Sequence, residues 1–531
     1  MREADVTYAK KTTTFDWSRR DWFRMSGTAA AANFLAALPG TAAATLPVRG
    51  EGPDVYTRIG VRPFISCTAT TTINGGSSQP PEVLDAVFQA GHYHVNLDEL
   101  MAEVGPRIAK LLQVDAAMVS CGAAAAMTCG TLACVAGGDP EKIRQLPDTT
   151  GLKNEVIVPS WSRSIYDHAV RSTGVKMIEV DTLDDLERAF GPKTVMATAL
   201  SSILWQNGPF SLDQLVAAAH KRNVPVLIDD AGALPVPPHP VLSHGVDLCA
   251  HSGGKVIRGP QGAGLLLGRE DLVKAAFINS APHHAFARAM KVTKEEIMGM
   301  LAAVEYLVTK RDPEAEEREW MSWYGHIKDR VSEIAGVSGE IENFAWKRFG
   351  YHPRLVVRWD PETIGLTAGD VEQMLLDGEP RVRIPPSGAG HSFVIRGASM
   401  YAGEYKLVAD RLVEIFRAAP PARAKPPLAP PVADVSGDWD ATLEFVVGSA
   451  EHEFHFDMQA NRLTGIHVGR ITHGTIEGTI DGSDVRFRAS GRYEGTSIRY
   501  RFSGLLEGDE ISGIVDLGEY GTGTWRARRR S

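Results

Sequence analysis

The sequence predicts an α/β protein: a mainly parallel sheet covered on both faces, a small second α/β unit, and an all-β barrel or sandwich at the C-terminal end. Three observations carry this. From Val156 onward apolar strand-length runs alternate with helical ones, the pattern of a parallel sheet with helical crossovers. A proline-rich stretch, Pro420 to Pro431, then interrupts the chain as a stiff linker. Beyond it the composition shifts to Thr, Gly, aromatic and charged residues in period-two segments separated by turns such as Asp481-Gly482.

Taken in order, Ser18-Arg19-Arg20-Asp21-Trp22-Phe23-Arg24 precedes a mildly apolar run, Met25 to Leu38, and then Ala42-Ala43-Ala44. Paired arginines, a short apolar region and small residues resemble a twin-arginine export signal over 1–44; an alanine-rich extension is the plainer alternative. The run is too short for a stable membrane span. Residues 45–290 read as the large domain with an N-terminal arm. Helices are expected over Pro81–Ala90 and Leu97–Leu112, with a Thr/Gly/Ser-rich loop from Thr68 to Ser78. Val119-Ser120 should end a strand and Gly122-Ala123-Ala124 open a helix. Strands follow over Val156–Pro159, Lys176–Val180, Thr194–Leu200 and Val224–Ile228, with helices over Ser164–Ser172, Leu183–Phe190 and Leu212–Arg222 between them.

Residues 291–418 open on a strongly periodic helix, Glu295–Lys310, expected to span between the two α/β domains. Strands over Arg354–Arg358, Arg381–Ile384 and Phe393–Arg396 and helices over Ala368–Leu376 and Gly403–Phe416 make the small unit. The linker occupies 419–434. Over 435–531, eight strand segments are expected: Asp440–Val446, His452–Gln459, Arg462–Val468, Thr472–Ile480, Val485–Tyr493, Ile498–Leu506, Glu510–Leu517 and Gly523–Arg528.

Composition narrows the function. A net charge of −9 argues against nucleic-acid binding as the main role, despite the basic run Arg526 to Arg530. Five cysteines without ligand spacing predict neither a disulfide framework nor a metal site.

The chemistry centres on His251-Ser252-Gly253-Gly254-Lys255, followed by Gly259-Pro260-Gln261 and the apolar run Ala263 to Gly268. A lone lysine among small residues beside a buried strand suits covalent attachment of pyridoxal 5'-phosphate. Upstream, Val226-Leu227-Ile228 leads into Asp229, a carboxylate at a strand's carboxyl end that can keep the cofactor's ring nitrogen protonated. The turn Ser120-Cys121-Gly122-Ala123 offers free amides and a helix dipole to the phosphate. Lysine, aspartate and small-residue turn in this order support one another where each alone is weak, and Ser252 flanks the lysine as a further cofactor contact.

These residues resemble the branch of fold-type I pyridoxal-phosphate enzymes that contains bacterial selenocysteine synthase and D-glucosaminate-6-phosphate ammonia-lyase. The resemblance rests on Tyr56-Thr57-Arg58-Ile59-Gly60, Ser120-Cys121-Gly122-Ala123, Tyr166-Asp167-His168, Ser252-Gly253-Gly254-Lys255 and Arg288-Ala289-Met290-Lys291, and covers roughly residues 54 to 416. It implies an amino-acid-like small-molecule substrate and a homodimer or larger homo-oligomer. One departure stands out: Ser162-Arg163 replaces the family's His-Arg pair, so Trp161 or Tyr166 is left to cover the cofactor ring. Arg163, Arg288, Arg383, Arg396 and His251 are candidates for substrate binding, with a structural role the favoured reading of His251.

The resemblance makes α,β-elimination with loss of ammonia the first expectation. Transamination, racemisation and a selenocysteine synthase-like transfer begin with the same steps. A non-catalytic exported binding protein is the reading from another class. Export would follow folding with the cofactor in the cytoplasm and place the protein in the periplasm or outside the cell.

Overall fold

The computed structural model describes residues 54–201, 208–343, 353–421 and 426–530, so the expected signal over 1–44 lies outside the described residues. Residues 54–61 form a separate unit holding one 3-10 turn, Thr57–Ile59. From Arg62 onward the chain enters through a two-residue strand, β1 (Ile65–Ser66), and two helices, α1 (Pro81–Ala90) and α2 (Leu97–Leu112), at the expected bounds.

The central sheet is built from β2 (Ala116–Ser120), β3 (Glu155–Pro159), β4 (Lys176–Val180), β5 (Thr194–Leu200), β6 (Val226–Asp229), β7 (Leu248–Ser252) and β8 (Gly264–Gly268). Their spatial order is β2-β8-β7-β6-β5-β3-β4. Only β8 runs against its neighbours; the β3, β4, β5, β6 and β7 pairings are parallel. Strands covered on both faces must be apolar on both, and β6 to β8 are buried almost throughout. Alternation then sorts the side chains. Leu227, Leu248 and Ala250 face the core beneath helix α3 (Gly122–Ala136), whereas Val226, Ile228 and Cys249 face helix α4 (Leu212–His220).

Two expectations need correction. Helix α5 (Lys294–Thr309) does not span domains: Ile297, Met300, Leu301 and Val304 all belong to the first core. The crossing is made at 310–312, and α6 (Pro313–Ser332), which was not anticipated, carries Trp320, Trp323, Tyr324 and Ile327 into a second core. That core also holds Ile65 and Cys67, so the segment after Arg62 packs with the small unit rather than as an arm of the large one. Its sheet, β9 (Val337–Glu342), β10 (Arg354–Trp359) and β12 (Ser392–Ile395), is antiparallel in the order β12-β10-β9, while β11 (Val382–Arg383) pairs in parallel with β1. The second correction concerns the helix expected over 164–172. It is replaced by a 3-10 turn at Ile165–Asp167 and one α-turn at His168–Arg171, where Asp167 turns back to accept from the Ser164 N–H and the Arg163 Nε.

The C-terminal unit is a closed barrel of eight antiparallel strands: β13 (Gly437–Glu444), β14 (Ser449–Gln459), β15 (Arg462–Val468), β16 (His473–Asp481), β17 (Asp484–Tyr493), β18 (Thr496–Glu507), β19 (Glu510–Asp516) and β20 (Thr522–Arg529). All eight expected segments are strands. β13 pairs with both β14 and β20, which closes the ring and removes free edges. The interior is filled by Trp439, Phe454, Phe456, Phe487, Phe502 and Trp525. Arg529 caps it, its guanidinium 4.8 Å above the Trp439 ring and donating to the Ser436 and Asp434 carbonyls. Among the described residues no helix is long and apolar enough to cross a membrane.

Phe454 is fully buried against Phe456, Phe487, Phe502 and Trp525. Phe454→Ala is expected to destabilise the barrel by about 3–5 kcal/mol, read as a lower urea midpoint of its unfolding transition.

Candidate active site

Strand β2 ends in Ser120, and the chain turns through Cys121 into α3. Gly122 sits at φ 79°, a left-handed conformation open to glycine at no steric cost, which lets the helix start immediately after the strand. Strand β8 presses on this turn: a Cβ on Gly264 would lie 2.4 Å from the Gly122 carbonyl carbon and 2.7 Å from the Ala123 nitrogen. No side chain caps the helix, so its first-turn N–H groups are available to an anion. The Ser120 hydroxyl donates to the Gly122 carbonyl at 2.9 Å, clipping the turn; its proton is thereby committed, and only its oxygen lone pairs remain for a ligand.

Asp229 ends β6 on the same face as Leu227, the face α3 covers. It is 5 % exposed and accepts from the Ala231 N–H at 3.1 Å. Burial raises its carboxyl above the usual range; the Ala231 N–H and the Lys255 charge oppose that, and nearby Asp167 adds to it. Among the described residues it has no salt bridge.

Lys255 lies in the turn after β7, its Nζ 5.7 Å from the centroid of the Tyr166 ring and without an ion pair among the described residues. The turn itself is held firmly. The Ser77 N–H donates to the Gly254 carbonyl at 3.0 Å, Gln261 donates to the Thr72 carbonyl at 2.6 Å, and Arg258 bonds to Ser78 and to Glu316 of α6. The Thr68–Ser78 loop, featureless in sequence, is thus a strap across the lysine turn.

The residues fit pyridoxal phosphate. An uncapped helix start can take the phosphate, a buried carboxylate without a salt bridge can take the ring nitrogen, and a lysine without an ion pair stands beside an aromatic face. Ser120, Cys121, Gly122, Ala123, Asp229, Ser252, Lys255 and Tyr166 belong to this end of the sheet.

Other candidates lie elsewhere or are already committed. Trp161 packs edge-on against Phe210 at 4.8 Å in the α4-side cluster, leaving Tyr166 as the aromatic residue beside the lysine. Arg163 is 2 % exposed and gives its whole guanidinium to Asp167, Glu179 and Glu494, so it cannot grip a substrate carboxylate. Arg383 is paired with Glu372 at 3.1 Å. Arg288, half-buried, and Arg396, exposed, have no ion pair among the described residues and stay available.

His251 is fully buried on the opposite face of the sheet and is not a substrate contact. It stands with Asp230, His239 and Cys249, their ligating atoms all within 4.8 Å of one another. The His239 Nδ1 accepts from the Val241 and Leu242 N–H groups, which puts its proton on Nε2, donated to the His251 Nε2 at 2.9 Å. That hydrogen bond uses the lone pair a metal ion would need.

Asp167, Ser162 and Thr198, none of them a site candidate from the sequence although Asp167 and Ser162 stood in its motifs, line a small cavity together with Asp229. The Tyr-Asp-His run offered the one available signal, since Asp167 follows Tyr166 directly.

Residues 169–289 match the aminotransferase class-V family. The chain is 30 % identical over 342 residues to a 5'-C-glycyluridine monooxygenase-decarboxylase from Streptomyces sp, covering 62 % of this chain and 83 % of that one. It is 27 % identical over 375 residues to a D-glucosaminate-6-phosphate ammonia lyase from Salmonella typhimurium, covering 68 % and 98 %. The solved structure of a D-glucosaminate-6-phosphate ammonia-lyase superposes with a TM-score of 0.62 at 26 % identity, covering 70 % of this chain and all of that one.

Asp230, buried beside Asp229, has Oδ2 unpaired, and burial pushes its carboxyl up to about 7. An acid bound more tightly to its proton when folded destabilises the fold as pH rises from the ordinary value of 3.8 towards 7. Asp230→Asn should therefore lose less stability than the parent between pH 4 and 7, measured by urea unfolding of cofactor-free protein.

Proposed function

The chain belongs to the fold-type I pyridoxal-phosphate enzymes, in the branch of the ammonia-lyases and selenium transferases, and from this we propose that it eliminates ammonia from an amino acid or amino sugar acid. The observation that carries the proposal is the convergence of Lys255, Tyr166, Asp229 and the uncapped start of α3 at the carboxyl end of the sheet. Coverage of nearly the whole length of an ammonia-lyase relative supports it. Bound there, pyridoxal phosphate supplies an electron sink for charge developing beside the substrate amine.

Each residue has a task that follows from its position. The first-turn amides of α3 hold the phosphate. Asp229 keeps a proton at the ring nitrogen, and its lack of a salt bridge leaves it free to do so. The Lys255 amine takes the proton from the substrate α-carbon and can return it to the departing β-substituent, after which water hydrolyses the enamine product to a 2-oxo acid and ammonia, while Tyr166 forms the outer wall. Arg288 and Arg396, which form no ion pair among the described residues, are the candidates for the substrate carboxylate or phosphate.

A second reading comes from the 30 % identical relative: oxygen-dependent decarboxylation at the same site. Ser162, where the branch carries histidine, removes one acid–base group from the elimination pathway and gives this reading its foothold. Oxygen uptake and carbon dioxide release separate it from elimination, which yields ammonia and a 2-oxo acid without oxygen.

The exposed aromatic and apolar residues Leu84, Phe88, Tyr93 and Val95 around α1 support a homodimer or larger homo-oligomer. The paired arginines at 19–20 support export of the folded protein.

Assays of ammonia and 2-oxo acid over a panel of amino acids and phosphorylated amino sugar acids are expected to find at least one substrate turned over under anaerobic conditions. Lys255→Ala should lower that rate by at least about 10³-fold. Oxygen-dependent turnover alone would favour the second reading, and no turnover would refute both.

A further inference from the structure

The C-terminal barrel touches the large domain at one informative place. Strands β17 and β18 meet in a two-residue turn, Glu494-Gly495, between the paired residues Tyr493 and Thr496. Such turns favour asparagine, aspartate or glycine at their first position because φ must be positive. Here a glutamate takes it, at φ 48°. Its side chain is engaged outside the barrel: one carboxylate oxygen accepts from the Arg163 Nη2 and the other lies 3.5 Å from the Arg171 Nη1. Gly495 packs so closely on the backbone of Ser164 that a Cβ there would lie 2.2 Å from the Ser164 oxygen.

Arg163 is the hub of this contact. Its Nε donates to Asp167 at 2.5 Å, its Nη1 to Glu179 of β4, and its Nη2 to Glu494. A guanidinium buried this deeply is stable only when all its donors are met. One of its three acids comes from 331 residues further along the chain. Asp167 in turn lines the cavity it shares with Asp229, and the same short loop carries Tyr166 to Lys255.

We infer that the barrel is a positioning device for the active-site wall: Glu494 holds Arg163, Arg163 holds Asp167, and Asp167 fixes the wall that carries Tyr166 beside Asp229 and Lys255. Glu494 is a positioning residue, touching no reacting group. The link from hairpin to loop stands on geometry; its consequence for the cofactor rests on the function proposed above.

The test uses the full-length chain with Glu494→Gln, which keeps size and removes charge, Gly495→Val, which wedges the hairpin off Ser164, and Glu477→Gln as a control. Glu477 pairs with Arg488 on the barrel's outer face, away from the loop. Two quantities are read: hydrogen exchange of residues 160–171 in cofactor-free protein, and the dissociation constant for pyridoxal phosphate from its visible absorbance. Both hairpin variants should speed exchange of that segment and weaken cofactor binding by at least about fivefold, with barrel exchange and the control unchanged. Unchanged exchange over 160–171 would overturn the inference. So would faster exchange with unaltered cofactor affinity, which would reduce the hairpin to a simple docking contact. Failure of the parent protein to bind the cofactor would sink the proposed function instead, and the exchange comparison would still decide whether the hairpin holds the loop.

Discussion

A carboxylate buried at the end of a parallel strand, without a salt bridge among the described residues, is the constraint around which the large domain is arranged. Burying an uncompensated charge costs several kcal/mol, and one backbone N–H and the field of Lys255 offset this only in part, so the Asp229 carboxyl stays above its usual range. A parallel sheet makes the placement possible, because all its strands deliver their carboxyl ends to one edge. Burial on both faces keeps water from relieving the charge. A site in that condition favours a cationic ring nitrogen, and this is the electrostatic reason for the cofactor to settle there.

The lysine and the phosphate turn are fitted to that carboxylate by close backbone approach. Gly264 abuts the start of α3, and the lysine turn is fastened by Ser77, Gln261 and Arg258 to a loop far upstream and to α6. The far face of the sheet meets a different requirement. There the His239 Nε2 donates to the His251 Nε2 in a fully buried cluster, so His251 contributes to the scaffold although it stands four residues from the reactive amine.

Much of this was readable in the sequence, for physical reasons that can be named. Strands buried on both faces read as unbroken apolar runs, and barrel strands read as strict alternation, so β3 to β6 and all eight barrel strands emerge at nearly their observed bounds. The lysine, the strand-end aspartate and the small-residue turn carry local chemistry and were equally visible. Helix α6 was hidden because its polar residues outnumber its buried ones, although Trp320, Trp323, Ile327 and Val331 keep a helical spacing. The roles of Arg163 and Trp161 were misjudged because neither Glu494 nor Phe210 is near them in sequence; which arginine is committed to an ion pair is a long-range property. Glu494 itself could be suspected only from its unsuitability for a tight turn.

The active site assigned to this end of the sheet requires the cofactor to be attached at Lys255. Reduction of the cofactor-loaded protein with borohydride, followed by peptide mass mapping, tests this directly. The expected result is a single phosphopyridoxyl mass increment on the peptide that contains Lys255. An increment on any other lysine, or a loaded protein that gives none, would contradict the assignment of this site.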